Sequence, residues 1–101
     1  MKKQTIIKAT TYASAKKLFR AIDNKVRLNI LRLLEDKALS VKEISEKLNI
    51  MGVVCSTHLA ILKRHGIVVC ENGALDLRNR VYGLNKDKIV LVNSVCEKVL
   101  K

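Results

Sequence analysis

The sequence predicts a mainly α domain with a small β-hairpin, an α+β chain in the order α-α-(short β)-α-α-β-β-α. Three observations carry that reading. Apolar residues recur at helical spacing from about residue 12 to residue 65. After Gly66 the period shifts toward two, with Ile67 to Cys70 and Arg78 to Leu84 flanking an Asn72-Gly73 turn signal. Helical spacing then returns beyond Asn85. At 101 residues the chain, 1–101, is expected to form one domain with a modest core.

Residues 1–11 read either as an extended basic arm or as the frayed start of a helix. From Tyr12 the period is clear, with Tyr12, Ala15, Phe19 and Ile22 at i, i+3, i+7 and i+10 and Leu18 beside them. Asp23 or Asn24 then caps a second helix, in which Val26, Ile30, Leu33 and Leu34 form one stripe. Lys25, Asn29, Arg32 and Asp36 line its opposite side, while Leu28 and Leu31 widen the apolar face, as expected of a helix packed on two sides. Ala38 and Leu39 bridge onward as a short strand.

The stretch from Ser40 to Gly66 organises the rest. Ser40 followed by Glu43 is a capping box, in which each side chain satisfies a backbone N–H of the first turn. Val41, Ile44 and Leu48 then share one face, with Lys42, Glu43, Ser45, Glu46 and Lys47 on the other. Asn49 tolerates the left-handed backbone that a helix exit needs. Gly52 opens a second helix that runs to about His65 and stops at Gly66. Its Cys55, Leu59 and Leu62 face the core, with Val54 and Ile61 at the edge. The opposite face holds Val53, Ser56, Thr57, Ala60, Lys63 and Arg64, slim at its start and basic at its end. A helix of that shape suits a DNA major groove, where short hydroxyls meet base edges and later cations meet phosphates. A plain αα-hairpin in a helical bundle is the competing reading of these two helices alone.

A hairpin directly after such a helix is the wing of a winged helix-turn-helix. Arg78 and Arg80 flank the wing loop and suit the minor groove or its phosphates, whereas Glu71 and Asp76 weigh against a tip lying flat on DNA. Asn85 is placed to cap a last helix, 86–101, in which Val92, Val95, Cys96 and Val99 share a face and Ile89 and Leu91 add apolar surface. So much apolar circumference on a terminal helix predicts homodimerisation. The expected interface residues are Tyr12, Leu18, Phe19, Leu91, Val92, Val95, Cys96 and Val99. The alternative is a third strand over Ile89 to Val92, with the surface covered within the protomer.

A net charge of +11 and a pI near 9.9 point to a polyanionic partner. Six of the positive residues fall in residues 1–22, which hold no acid: Lys2, Lys3, Lys8, Lys16, Lys17 and Arg20. No apolar run approaches the roughly 20 residues a bilayer span requires, and no signal-peptide pattern opens the chain. A soluble, cytoplasmic protein without membrane contact is expected. Cys55, Cys70 and Cys96 lie far apart with no C-x-x-C, so neither a zinc ribbon nor a dithiol motif is suggested. His58 and His65 stand two helical turns apart, too far to chelate one ion unaided. Paired carboxylates in an apolar setting, a Gly-rich phosphate loop and a nucleophile with base and orienting acid are all missing, so no enzyme activity and no cofactor are expected.

With these elements in place, the chain resembles the ArsR family of winged-helix repressors. The resemblance covers about Leu18 to Leu100 and rests on VRLNILRLL at 26–34, the helix ending at Leu48, STHLAILKRHGIV at 56–68 and RVYGL at 80–84. Groups such as MarR-type regulators share parts of these motifs. The resemblance implies a homodimer that binds an inverted repeat in double-stranded DNA near promoters and represses transcription. It does not extend to metal sensing. Where metal-sensing members carry thiolates in the first motif helix this chain has Ser40 and Lys42, and Asp87 has no histidine after it.

The residues expected at DNA are Lys42, Gly52, Val53, Ser56, Thr57, His58, Lys63, Arg78 and Arg80. Their recognition face lacks an early arginine, the commonest reader of guanine, and so favours A·T-rich half-sites. Two other classes remain open: a winged-helix protein-interaction module in a larger transcription-related assembly, and a regulator switched by oxidation of Cys55 or Cys96. The sequence is silent on any small-molecule effector.

Overall fold

The computed structural model describes residues 12–87, which form four α-helices and a three-stranded antiparallel sheet. In chain order these are α1 (Tyr12–Ile22), α2 (Lys25–Leu34), β1 (Leu39–Ser40), α3 (Val41–Leu48), α4 (Gly52–Arg64), β2 (Val68–Cys70) and β3 (Val81–Leu84). A 3-10 turn, Leu77–Asn79, precedes β3. The winged helix-turn-helix expected from the sequence is present. The basic arm and the last helix, with Leu91, Val92, Val95, Cys96 and Val99, lie outside the described residues, as does the side chain of Tyr12.

Local chemistry sets the helix boundaries. Asn24 opens α2, its Oδ1 accepting from the N–H groups of Val26 at 2.9 Å and Arg27 at 3.1 Å. At α3 both halves of the capping box form: Ser40 Oγ accepts from Glu43 N–H at 3.1 Å, and Ser40 N–H donates to Glu43 Oε1 at 2.9 Å. Asn49 exits α3 in the left-handed region, φ 54°. Gly66 exits α4 the same way at φ 72°. There Gly66 N–H donates to Lys63 O and Ile67 N–H to Leu62 O, the two bonds of a Schellman closure. Leu62 and Ile67, the apolar pair of that motif, are both fully buried.

The core gathers Ile30 and Leu34 of α2, Val41 and Ile44 of α3, Cys55, Leu59 and Leu62 of α4, and Leu39, Val68 and Tyr82 of the sheet. Helix α1 is rotated relative to the expected stripe. Among its described side chains Leu18 and Ala21 are buried, Ile22 packs beside them, and Phe19 is only half-buried. Leu18, expected at a dimer surface, is taken up by the protomer's own core and offers almost no surface to a partner. On α2, Leu28 is 44% exposed rather than packed against a second layer. Ser45 also departs from expectation: it is buried, with its hydroxyl donating to Lys42 O at 2.9 Å, so α3 tolerates it on its inner side.

The sheet runs β1-β3-β2, pairing Leu39 with Tyr82 on one side of β3 and Val68 with Leu84 on the other. Strand β3 begins at Val81, later than the expected Arg78, because Asp76 caps the 3-10 turn and folds Arg78 and Asn79 out of the ladder. Asn85 links the two ends of the hairpin: its N–H donates to Ile67 O at 2.9 Å and its Nδ2 to Gly66 O at 2.8 Å.

Candidate nucleic-acid interface

Helix α4 sits on the surface by one side only. Cys55, Leu59 and Leu62 have no exposure, whereas Val53 is 74% exposed and Thr57, Ala60, Lys63 and Arg64 are also open to solvent. That side faces the wing. Between them runs a groove of about 810 Å³, lined by Met51, Gly52, Val53, Ser56, Thr57 and Ala60 from α4 and its entry, and by Leu77, Arg78, Arg80 and Tyr82 from the wing. The helix enters without a side-chain cap, and a Cβ built on Gly52 meets nothing within 4 Å. The groove is therefore open beside Gly52. Thr57 Oγ1 donates to Val53 O at 2.9 Å. With its proton engaged, that oxygen is left as an acceptor and the Thr57 methyl is held in a fixed direction.

Asn72 shapes the wing far beyond a turn signal. Its Oδ1 accepts from Val81 N–H at 3.0 Å and Ala74 N–H at 3.3 Å, and its Nδ2 donates to Asn79 O at 2.9 Å. Gly73 beside it takes φ 62°, which a side chain would strain. Arg80 Nε donates to Ala74 O at 2.8 Å, so this half-buried arginine braces the loop as well as lining the groove. Arg78 is exposed and lines the groove.

Of the residues expected at DNA, the groove unites Gly52, Val53, Ser56, Thr57, Arg78 and Arg80. Lys42 and Lys63 are exposed but stand outside its lining, as outlying cations. His58 turns away from it. Its Nδ1 pairs with Arg27 Nη1 at 3.2 Å, and burial first, then the Arg27 charge, hold its pKa below the usual imidazole value. The neutral ring therefore accepts from the guanidinium. Arg27 also donates through Nε to Ala21 O and through Nη2 to Arg20 O at 3.3 Å, tying the last turn of α1 to α4. Cys55, whose thiol donates to Val41 O at 3.8 Å, is sealed in the core, and burial pushes its pKa up to about 11. Such a thiol has little thiolate character in the folded protein.

Met51 and Leu77 were not anticipated in the groove. Met51 is 71% exposed and Leu77 52% exposed. The one available signal is position: Met51 directly precedes α4, and Leu77 directly precedes Arg78. Among the described residues no three His, Cys, Asp or Glu side chains converge to hold a metal ion. No helix among them is long and apolar enough to cross a membrane.

A helix-turn-helix domain family model matches residues 22–71, the stretch from the end of α1 to the start of the wing. Among curated proteins, the transcriptional activator HlyU of Vibrio cholerae is 45% identical over 56 residues, 55% of this chain and 52% of HlyU. That match thus spans about half the length of the relative. The solved structure of reduced HlyU from Vibrio cholerae N16961 superposes with a TM-score of 0.66 at 34% identity, covering 87% of this chain and 90% of that one. HlyU of Vibrio vulnificus CMCP6 superposes at 0.64 and 29% identity over 98% of both chains. A possible transcriptional regulator for arsenical resistance shares the fold at a TM-score of 0.72 and 18% identity, covering 82% of this chain and 83% of that one. These relatives are regulators and not enzymes. The overall fold is thus shared with transcriptional regulators, and the chain belongs to the ArsR/HlyU-type winged helix-turn-helix transcriptional regulators.

Proposed function

We propose that the protein acts in the cytoplasm as a homodimer that binds an inverted repeat in double-stranded DNA, with α4 in the major groove and the wing on the minor groove or backbone. The observation that carries this reading is the single groove shared by the outer side of α4 and the wing, which brings Val53, Ser56 and Thr57 opposite Arg78 and Arg80. The excess of 11 positive charges supplies affinity through phosphate neutralisation. Sequence choice falls to the small side chains. The apolar patch of Met51, Val53 and the Thr57 methyl complements thymine methyls, which supports A·T-rich half-sites. Half-exposed Phe19 and the apolar residues after Lys88 supply the dimer surface.

Whether such a dimer lowers or raises transcription depends on where its site lies relative to the promoter. The resemblance implies repression; the Vibrio cholerae relative bears the name of an activator. Selection from a random duplex library, followed by gel shift at moderate salt and light scattering of the free protein, tests the core of the proposal. Retention of a palindromic, A·T-rich duplex by a species of twice the chain mass is expected. A monomer in solution, or no retained duplex, refutes it, and the latter favours a protein-interaction module. A promoter fusion carrying the selected site reads the sign of regulation.

A further inference from the structure

Leu75, at the tip of the wing, is 97% exposed. A solvated leucine on a loose loop needs no explanation. This one is held out by a hydrogen-bonded frame. Asn72 bonds Ala74, Asn79 and Val81 across the loop, Arg80 Nε bonds Ala74 O, and Asp76 closes the turn after Leu75. The carboxylate of Asp76, which would repel phosphate, is turned to the loop itself. Its Oδ1 accepts from Arg78 N–H at 3.1 Å and its Oδ2 from Asn79 Nδ2 at 3.1 Å. The tip therefore presents an exposed apolar side chain two residues before Leu77, which with the exposed Arg78 lines the groove beside α4.

The geometry points to Leu75 as an apolar wedge that enters the minor groove, partly unstacks one base step and kinks the duplex, so that the wing reads DNA by its deformability. This rests on the DNA-binding reading above and adds a specificity-determining residue to it. Apolar wedges of this size open base steps and bend DNA toward the major groove. The cost of opening depends on the step, being low for pyrimidine-purine steps and high within A-tracts. A leucine on a braced loop keeps its direction while it does this, and the neighbouring Arg78 meets the phosphates that crowd together on bending.

The test uses the full chain and two duplexes carrying the selected repeat, differing only at the step that faces the wing, TA in one and AA in the other. Affinity is read by fluorescence anisotropy and bending by energy transfer between end labels. The wild type is expected to bend the TA duplex by at least about 20° and to bind it about tenfold more tightly than the AA duplex. Leu75→Ala is expected to bind both duplexes within about twofold of each other and to lose the added bend, while Leu75→Met keeps both properties. The side chain packs against nothing, so thermal melts of the variants should overlay that of the wild type. A Leu75→Ala protein with unchanged bend and unchanged preference overturns the wedge. Loss of regulation in a reporter without change in either readout also overturns it and makes Leu75 a contact for another protein. Failure of the wild type to retain either duplex sinks the DNA-binding reading itself, and is seen before any variant is made.

Discussion

Replacing Arg27 with alanine removes three hydrogen bonds at once: those to Ala21 O and Arg20 O in the last turn of α1, and that to His58 on α4. Hydrogen bonds from a charged donor contribute roughly 1.5–3 kcal/mol when well formed and shielded. Here the Arg20 bond is long and exposed and the guanidinium is half in solvent, so the three together are taken as about 2 kcal/mol. For a domain of this size that lowers the melting temperature by roughly 8–16 °C. Arg27→Lys keeps a cation at the α1 C-terminus but not the planar fork, and should fall between. The same variant changes the pH dependence. His58 titrates below its unfolded value, so the unfolded chain binds its proton first and stability falls as pH drops below about 6.5. Burial, the larger cause, survives in Arg27→Ala while the charge repulsion vanishes, so the loss between pH 7 and pH 5 should shrink without disappearing. His58→Gln should abolish that part. Thermal melts across this pH range supply the measurement. An Arg27→Ala protein that melts within about 2 °C of the wild type, with the same pH slope, would show that the guanidinium is solvated and links nothing.

Ser40→Ala should cost about 1 kcal/mol by opening the capping box, lowering the melting temperature by roughly 4–8 °C, with Ser40→Asp recovering most of it. In binding selections, Ser56→Ala and Thr57→Ala should relax base preference, whereas Arg78→Ala should weaken all sequences alike and reduce the salt slope by about one. Equal losses on selected and random duplex for all three would contradict that division. Iodoacetamide should label Cys55 more slowly than Cys70 in the folded protein, because the thiol is sealed and its pKa lies near 11. Peptide mapping reads this, and fast native labelling of Cys55 would mean that α4 opens readily.

What could be read from the sequence was what neighbours in the chain decide. The Ser40 and Glu43 box, a cap at Asp23 or Asn24, Asn49 as a left-handed exit, the helix stop at Gly66 and the two sides of α4 all depend on residues within about a turn of one another. The structure has each of them, with Asn24 taking the cap and Gly66 also turning left-handed. Features decided by distant partners were missed. The rotation of α1 follows from what Leu18 and Ala21 meet in the core, which periodicity cannot supply when Phe19 competes for the same place. Arg27 reads as an ordinary helical cation until its carbonyl and imidazole partners are seen 6 and 31 residues away. One local feature escapes as well: the late start of β3 turns on Asp76 capping a single 3-10 turn, which alternation of side chains along a strand does not register. Within the groove, the polar and basic residues were found because their types suit nucleic acid, whereas Met51 and Leu77 look like core residues by composition.

The rear strand of the wing, β3, is also the middle strand of the sheet, and its partner β1 runs straight into α3. Val41 N–H donates to Arg80 O at 3.0 Å at that junction. Swinging the wing as a flap would tear the ladder that seats the helix-turn-helix, so the spacing between the two reading surfaces is set when the chain folds. In the proposed docking, duplex that does not match this preset jaw has to deform to fit, and adaptation on binding then falls to the nucleic acid.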